Sequence, residues 1–315
     1  MDTNKKLKII LLLIVLTIIY IDLFEIQKQN IIVEEQGEIK TYFCKETNCE
    51  HQLIKITNNS KTLKCAFYDI SNKEIINKLK KENAEIITHN DEEFEKINTK
   101  GLMHHKFCVI NQTTIITGSY NPTENNQHHE NLIIIESKTL AKNYEEEFEQ
   151  LKKINEEQQP KKKTQTTKIK YNNYTLENYF CPQDACKEQI INKIKQANQT
   201  IQFMLFTFTD KEITQEIIKK HEQGLQVQGI IENFQNKQYW TTPMLQENNI
   251  TIKIHSSNIF QHNKIIIIDN LIITGSYNPT NVANTINDEN ILIITQPNIV
   301  QEYKNYFLTL FESLD

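Results

Sequence analysis

Short apolar runs alternate along this chain with segments whose apolar residues recur at helical spacing. Residues 187–197 and 211–221 show the helical pattern, which predicts amphipathic helices. Residues 200–208 alternate and are rich in aromatic side chains, as strands are. Further strands are predicted at 107–110, 114–117, 265–268, 271–273 and 291–295, with a closing helix at 299–313. The fold class predicted is α/β, with helices covering the sheets.

The chain contains an internal repeat. The string I-I-T-G-S-Y-N-P-T occurs at 115–123 and again at 272–280, and an H-x-K triplet precedes each copy. F-C-x4-C segments at 43–49 and 180–186 precede both triplets in the same order, which predicts two homologous halves. The second half holds an extra strand-like piece at 225–231, where the first has only 84–87. We expect the second half to supply more of the wall of a substrate groove.

The repeat sets the domain boundaries. Residues 31–151 are predicted to form the first repeat and 171–315 the second, with 152–170 as a linker. This linker carries Pro160 and three consecutive lysines at 161–163, and nothing in it alternates as a strand does. A solvated linker is the interpretation favoured for the lysine run, although it could touch phosphates.

The N-terminal residues resemble a membrane signal. Lys5, Lys6 and Lys8 precede an apolar run at 9–21, and no small-residue cleavage site follows it. Residues 1–30 are therefore predicted to form a single transmembrane helix that anchors the protein. The lysines favour an N-terminus inside the cell and a catalytic domain on the extracytoplasmic side of the membrane. A buried core helix is the alternative.

The charge and the cysteines narrow the choice of partners and chemistry. The net charge is -5 and the 35 basic residues are all lysine, so backbone contact with a nucleic acid is favoured over base readout. Cys65 and Cys108 stand alone in apolar runs and are predicted to be buried thiols. The other four cysteines form two C-x4-C pairs, Cys44 with Cys49 and Cys181 with Cys186. We predict a disulfide in each pair, with zinc binding as the alternative.

The two H-x-K triplets carry the candidate chemistry. On a strand, positions i and i+2 share a face, so His104 and Lys106 point the same way, as do His262 and Lys264. If the halves pack about a pseudo-twofold axis, two imidazoles and two ammonium groups converge. One imidazole can then attack phosphorus while the other protonates the leaving oxygen, and the lysines stabilise the negative charge. This set suits cleavage of a phosphodiester.

Polar residues after each triplet extend the candidate site. The repeated Gly-Ser turn supplies hydroxyl and amide donors, and a glutamate follows each turn and could accept an Nδ1 proton to fix the imidazole tautomer. The donors are Ser119, Asn121, Ser276 and Asn278, and the glutamates are Glu130 and Glu289.

The pattern H-x-K-x4-D followed by G-S-x-N resembles the phospholipase D superfamily. The second half matches it throughout, with Asp269 at the acidic position, whereas Asn111 replaces the aspartate in the first half. The resemblance implies two α-β-α units in pseudo-twofold contact around one active site. It also implies a covalent phosphohistidine and a reaction without metal or cofactor. Because two repeats complete one site, a monomer suffices, and a dimer is possible.

The resemblance also assigns a role to each candidate. It makes His104 the nucleophile and His262 the general acid. The phosphoryl oxygens would be bound by Lys106, Lys264, Asn121 and Asn278, with Ser119 and Ser276 in the same pocket, while Glu130 and Glu289 orient the histidines. The remaining histidines nearby, His105, His128 and His129, are predicted to have no catalytic role, and His105 to face away from the site.

Three functions remain open for such a site. The first is an endonuclease, whose single-stranded substrate would be held by backbone charge and stacking. The second is a phospholipase D or a cardiolipin-synthase-like transferase acting on phospholipid, and the third is an inactive phosphate-binding membrane protein. Intact histidines argue against the third. The aromatic residues that would suit stacking, or otherwise pack in the core, are Tyr179, Phe180, Phe203, Phe206 and Trp240.

Overall fold

The computed structural model describes residues 33–124, 126–157, 160–236 and 240–314. The predicted membrane anchor at 1–30 lies outside these residues. Among the helices of the described ranges, none combines the length and the apolar character needed to cross a bilayer.

Strands and helices alternate along much of the described chain, and each helix and strand predicted there from the sequence is present. The helices are α1 (Cys49–Ile56), α2 (Lys73–Lys81), α3 (Lys138–Glu157), α4 (Cys186–Lys195), α5 (Lys211–Glu222), α6 (Asn233–Asn236), α7 (Thr241–Glu247), α8 (Asn281–Thr285) and α9 (Pro297–Glu312). The strands of the first half are β1 (Val33–Glu35), β2 (Ile39–Phe43), β3 (Leu63–Phe67), β4 (Glu85–Thr88), β5 (Glu95–Lys96), β6 (Lys106–Ile110), β7 (Thr114–Gly118) and β8 (Asn131–Glu136). Those that follow are β9 (Lys168–Tyr171), β10 (Tyr174–Cys181), β11 (Thr200–Leu205), β12 (Gln226–Glu232), β13 (Thr251–His255), β14 (Lys264–Ile268), β15 (Leu271–Gly275) and β16 (Glu289–Ile294).

Two sheets with the same topology confirm the repeat. Within the described residues, the first sheet has the order β2-β8-β7-β6-β3-β4-β5 and the second has β1-β9-β10-β16-β15-β14-β11-β12-β13. From β10 onward the second order reproduces the first strand for strand. The mixed α/β class and the two repeats are therefore confirmed.

The two halves differ less in their strands than the sequence suggested. Strand β4 pairs in parallel with β3, as β12 pairs with β11, so the strand predicted only for the second half has a counterpart in the first. The strand at 225–231 is confirmed as β12, but it is not an addition of the second half, because the four residues of β4 are enough to form the matching strand. What the second half adds is the pair of short helices α6 and α7 before β13.

The predicted linker is shorter than 152–170, and the boundary between the halves is interwoven. Helix α3 continues to Glu157, and the segment from Lys168 already forms β9. Strand β1 leaves the first repeat and pairs with β9 in the sheet of the second. The prediction that the lysine run is solvated is wrong for Lys161, because its side chain is 5% exposed.

One hydrophobic core joins the halves. It combines side chains from both sheets with those of α3 and α9, among them Phe107, Tyr144, Ile265 and Tyr303. Strands β6 and β14 are buried along their whole length, which explains why they are continuous apolar runs and do not alternate. Because both strands begin at the H-x-K lysines, the shared core fixes the backbone of the candidate site.

All six cysteines form disulfides. Cys44 bonds with Cys49 and Cys181 with Cys186, as the sequence predicted. Cys65 and Cys108 are not free thiols, because they are bonded to each other across β3 and β6. The expectation of buried thiols failed because pairing between strands distant in sequence cannot be read from either apolar run alone.

Candidate active site at the seam of the two halves

Each H-x-K triplet spans the start of a buried strand. His104 and His262 come just before β6 and β14, and the lysines are the first strand residues. The Nζ atom of each lysine donates to the carbonyl oxygen of the histidine two positions earlier, at 2.7 Å in both halves. This local bond holds each ammonium group at the backbone of its own histidine, and the charges of both lysines act on the pKa of both imidazoles.

Two short parallel bridges join the halves beside the histidines. Met103 bridges to Asp288, and the His104 amide donates to the Asp288 carbonyl at 2.9 Å. On the other side His129 bridges to Gln261, and the amide of the residue after Gln261 donates to the His129 carbonyl at 2.9 Å. Each bridge places the glutamate that follows Asp288 or His129 next to a histidine of the other half.

The histidine–glutamate pairs therefore cross the seam. Nδ1 of His104 lies 2.8 Å from Oε2 of Glu289, and Nδ1 of His262 is hydrogen-bonded to Glu130. Both glutamates are fully buried. With Nδ1–H donated to a carboxylate, Nε2 of each imidazole is left as the basic atom. The sequence did not predict this crossing, because two matching repeats do not reveal whether a histidine contacts the glutamate of its own half or that of the other half.

The histidines and lysines lie close enough to influence each other's protonation. Burial lowers the pKa of His104 and of His262 well below its usual value, and the charges of both lysines lower it further. Burial also lowers the pKa of Lys106 to about 7 and that of Lys264 well below its usual value. Burial therefore makes the charged form of each group less favourable than in water until a negative charge enters the site.

Burial affects the two carboxyl groups in the opposite sense. It raises the pKa of Glu130 and of Glu289 to about 7, although the neighbouring lysines oppose this rise. Asn126 donates to Glu130, and a hydrogen bond from Ser276 to Glu289 also favours the ionised carboxylate. Titration near neutral pH is therefore expected of the pairs that hold the imidazoles.

The Gly-Ser turns lock the site to the strands that carry the glutamates. Gly118 has φ +138°, and a Cβ atom there would lie 2.2 Å from the Asn131 carbonyl oxygen, so only glycine fits. The Ser119 hydroxyl accepts from the Asn131 amide at 3.0 Å, and Ser276 accepts from Asn290 at the same distance. Both serines are fully buried. The structure thus shows both hydroxyl groups bound to the neighbouring strand, and their part in binding a phosphate stays a prediction.

The two motif asparagines differ in their surroundings. The buried Oδ1 atom of Asn121 has no hydrogen-bond partner among the described residues. Oδ1 of Asn278 accepts from the Thr207 amide at 3.3 Å. Asn278 also lines a cavity of about 370 Å³ together with His104 and Glu289. Both asparagines stay candidates for holding phosphoryl oxygens.

Asn111, the residue that departs from the motif, lies at the turn between β6 and β7, at the opposite end of β6 from His104. Asn111 and Asp269 both have positive φ, which these residue types tolerate. Oδ1 of Asn111 accepts from the amides of Lys61 and Thr62. The Asp269 carboxylate likewise accepts from three amides at the start of β11, those of residues 198–200. An amide oxygen can supply this bond, which explains why asparagine is tolerated here.

Two aromatic residues lie beside the histidines, and of these the sequence analysis named Phe206 as a candidate and missed Tyr68. Tyr68 packs edge-on against His104 at 4.8 Å, and Lys106 lies over its ring at 4.9 Å. Phe206 makes the same contacts in the other half, with its own histidine at 4.6 Å and lysine at 5.1 Å. The only available signal was position, because each aromatic directly follows the strand beside its H-x-K strand.

The asparagines after the glutamates also went unassigned. The side-chain amide of Asn131 donates through Nδ2 to the Thr274 and Tyr303 hydroxyls of the other half, at 3.0 and 2.9 Å. Asn290 makes the matching bonds to Thr117 and Tyr144. These crossed bonds fix the seam behind the histidine–glutamate pairs.

The remaining histidines do not join the H-x-K groups. His105 is fully buried and its Nε2 atom lies 3.1 Å from Glu147, as expected of a residue that faces away. Nδ1 of His128 accepts from the Phe260 amide, while Nδ1 of His129 contacts the Tyr306 hydroxyl. Across the described ranges, no group of three or more His, Cys, Asp or Glu side chains could hold a metal ion.

The site has recognisable counterparts in known proteins. The family model for the PLD-like domain of cardiolipin synthase matches residues 33–152 and 190–311. A phospholipase D of Rickettsia conorii is 31% identical over 131 residues, which are 41% of this chain and 66% of that protein. The mitochondrial cardiolipin hydrolase of Chlamydomonas reinhardtii is 25% identical over 126 residues, covering 39% and 56%. The chain thus spans less than two thirds of the length of these relatives.

A solved structure supports the fold over most of the chain. Phosphatidylserine synthase of Haemophilus influenzae Rd KW20 superposes with a TM-score of 0.65 at 13% identity, over 85% of this chain and 84% of that one. The family model covers both halves, and each half carries the H-x-K and G-S-x-N motifs at one shared seam. This protein therefore belongs to the phospholipase D superfamily.

Proposed function

We propose that this protein hydrolyses phosphodiesters through a covalent phosphohistidine. The observation that carries the proposal is the crossed arrangement of His104–Glu289 and His262–Glu130. Nε2 of His104 attacks phosphorus, and the bond to the leaving oxygen breaks as that oxygen takes a proton from His262. Water then attacks phosphorus and gives its proton to His262, while the P–N bond breaks and frees His104.

Burial prepares the two histidines for these roles. Their lowered pKa values leave His104 neutral, with a free electron pair on Nε2 for attack. His262 must be protonated to act as an acid, and the negative charge of a bound phosphodiester raises its pKa for that purpose. Glu130 then stabilises the resulting imidazolium through the bond to Nδ1.

The phosphoryl oxygens require cations and donors on both sides of the seam. Lys106 and Lys264 supply the cations, since each is buried and held against its own histidine. A bound phosphate raises their pKa again and restores the ammonium forms that stabilise the transition state. Asn121 and Asn278 complete the set in this proposal.

Nucleic acid is the substrate class we propose first, because aromatic rings lead outward from both histidines. In one half Phe206 contacts His262, and Phe260 continues the series toward His128 at 5.0 Å. Phe260 is 42% exposed, so it offers a ring on which a base could stack. In the other half Tyr68 stacks on His89 at 5.5 Å. Of the five aromatics named from the sequence, three are core residues: Tyr179, Phe180 and Phe203.

Phospholipid is the second candidate, favoured by the cavity beside His104. Leu102 and Val282 line this cavity and are among the exposed large apolar residues, and the nearby Ile286 is exposed too. Apart from His104 and Glu289, its lining includes no ionisable side chain. Such a lining suits a neutral or apolar group better than a second phosphate. The names of the relatives, phospholipase D and cardiolipin hydrolase, point to the same class.

The test uses the full-length protein in EDTA with labelled single-stranded DNA, RNA and duplex, and in parallel with phosphatidylcholine and cardiolipin vesicles. His104→Ala and His262→Ala are compared with His51→Ala, an exposed histidine of helix α1. We expect cleavage of nucleic acid that both site variants lose and the control keeps. Lipid turnover with intact nucleic acid would select the second candidate. Silence on all substrates would instead favour an inactive phosphate-binding protein.

The role of each histidine can be read from the intermediate. With a substrate labelled at phosphorus, we expect acid-labile label on protein that lacks the acid His262 and none on protein that lacks His104. The reverse pattern would exchange the two roles and keep the reaction.

A further inference from the structure

The segment that joins the halves contributes a buried cation behind one of the two histidine–glutamate pairs. Nζ of Lys161 lies 2.5 Å from Glu147 of helix α3 and 2.6 Å from Asp288 of the second half. Its side chain is 5% exposed, and those of Glu147 and Asp288 are 0% and 4% exposed. Two buried carboxylates without this cation would be strongly unfavourable, so the three groups form one unit.

This unit touches the chain neighbours of both members of the His104–Glu289 pair. Glu147 is hydrogen-bonded to His105, the residue after His104. Asp288 directly precedes Glu289, and its carbonyl accepts from the amide of His104. Lys161 therefore holds the two strand ends from which the pair projects.

Within the described ranges, the other pair has no lysine–carboxylate bridge at the matching place. Tyr306 follows Tyr303 by three positions in α9, as Glu147 follows Tyr144 in α3, and the two earlier tyrosines bind the equivalent asparagines. The Tyr306 hydroxyl contacts Nδ1 of His129, the residue that corresponds to Asp288. Among the described residues, no salt bridge joins a lysine to His129, although the charges of Lys45 and Glu232 act on the pKa of His129. The buried lysine bridge therefore breaks the pseudo-twofold symmetry of the site.

We propose that Lys161 is a positioning residue for the His104–Glu289 pair and has no such role for His262–Glu130. By bridging Glu147 and Asp288 it fixes the separation of helix α3 from the strand end that carries Glu289. Positioning of a reacting group to within a fraction of an ångström is what sustains the rate of attack. The inference rests on the proposed function where its readout is activity.

The cavity next to Lys161 allows the charge to be removed and replaced. A space of about 740 Å³ is lined by Lys161, Asp288 and Gln183, together with Pro160 and Ile286. In Lys161→Ala the removed side chain leaves room that a small alkylammonium ion can reach from this space. We expect kcat to fall about tenfold or more with little change in KM, because the phosphate-binding lysines are untouched. Ethylammonium should restore part of kcat in a saturable way.

The matched control is Lys163→Ala, which removes an exposed lysine from the same run. It should keep the wild-type kcat and show no response to ethylammonium. Equal kcat values for the two variants would overturn the inference while wild-type activity upholds the proposed function. An inactive wild-type protein would overturn the proposed function instead. Loss of kcat in Lys161→Ala without any rescue would reduce Lys161 to a structural role.

A second measurement does not depend on turnover. Each imidazole Nδ1–H bound to a carboxylate should give a low-field proton resonance, assigned through Glu289→Gln and Glu130→Gln. In Lys161→Ala the His104 resonance should shift or broaden, while the His262 resonance stays. Changes in both, or in neither, would contradict the proposed selectivity. If Lys161→Ala fails to fold, Asp288→Asn takes its place, since this variant keeps the Lys161–Glu147 contact. It should cause the same selective change in the His104 resonance. Unchanged spectra would reject the inference.

Discussion

Nδ1 of His104 lies 2.8 Å from the carboxylate of Glu289, although the two residues are 185 positions apart and belong to different repeats. The second pair, His262 with Glu130, crosses the seam in the opposite direction. Each imidazole therefore takes its tautomer from the half that does not carry it. This dependence makes the two repeats one catalytic unit in the proposed mechanism.

The crossed pairs predict the effect of removing one carboxylate charge. Glu289→Gln keeps the size of the side chain but cannot stabilise an imidazolium at His104 as a carboxylate does. We expect kcat to fall about 100-fold or more, with KM nearly unchanged, since general acid–base and tautomer effects have this size. Steady-state kinetics measure it, and Glu188→Gln, at a position where the side chain is 57% exposed, is the control. A fall of similar size in the control would remove the special role of Glu289.

The buried charges predict a narrow pH optimum for kcat/KM. The pKa of Glu130 and of Glu289 is raised to about 7, so both carboxylates are lost as acceptors when the pH falls below that value. The pKa of Lys106 is lowered to about 7, so its positive charge is lost as the pH rises above it. Because kcat/KM reports the free enzyme, it should peak near neutral pH and fall on both sides.

The acid and alkaline limbs of the pH profile can be separated experimentally. A bound phosphodiester raises the pKa of the lysines, so kcat should persist to higher pH than kcat/KM does. Lys106→Arg places a permanent cation at the alkaline-sensitive position and should move only the alkaline limb upward. A profile of kcat/KM that is flat between about pH 6 and 9 would contradict the assigned groups.

Much of this candidate site could be predicted from the sequence, because the motif residues of each repeat lie close together along the chain. The H-x-K triplet and the G-S-x-N turn identify His104 and His262, and strand periodicity aims each lysine beside its histidine. Contacts between the repeats could not be predicted in this way, because no short sequence motif specifies them. The crossed glutamates, the disulfide of Cys65 with Cys108 and the burial of Lys161 all depend on how the two halves dock.

The fold shows the same division between local and distant information. Strands β6 and β14 were predicted within one residue of their observed starts, since continuous apolar runs indicate buried strands. The exchange of β1 into the second sheet was not foreseen, because three residues carry too little pattern to choose a partner. The hydrogen bonds that the Ser119 and Ser276 hydroxyls accept were not foreseen for a related reason, because the sequence does not show which strand lies beside each turn.

Burial of the site lysines predicts a trade between stability and activity. Burial lowers the pKa of Lys264 well below the 10.5 of an unfolded chain, so folding must release a proton at neutral pH or bury a charge. Lys264→Met removes this cost and should raise the free energy of unfolding by about 1 kcal/mol or more near neutral pH while abolishing activity. Denaturant unfolding of both proteins measures the difference, with Lys163→Met as control.

The sign of this effect gives an independent check. A lysine with a lowered folded pKa destabilises the protein most at low pH, and the penalty fades as the pH approaches 10.5. The advantage of Lys264→Met should therefore shrink between about pH 7 and pH 10. An advantage that stays constant over this range would point to packing and not to the buried charge.

The disulfide between Cys65 and Cys108 should contribute more to stability than the two short ones. It closes a sequence separation of 43 between paired strands, whereas Cys44–Cys49 closes a separation of 5. Because the entropy lost by the unfolded chain grows with loop length, replacing both cysteines of the long loop by alanine should cost about 4 kcal/mol, against about 2 kcal/mol for the short loop. Equilibrium unfolding in denaturant measures both double variants. Equal losses would show that the cross-strand bond acts through native packing beside Lys106 and not through the unfolded chain.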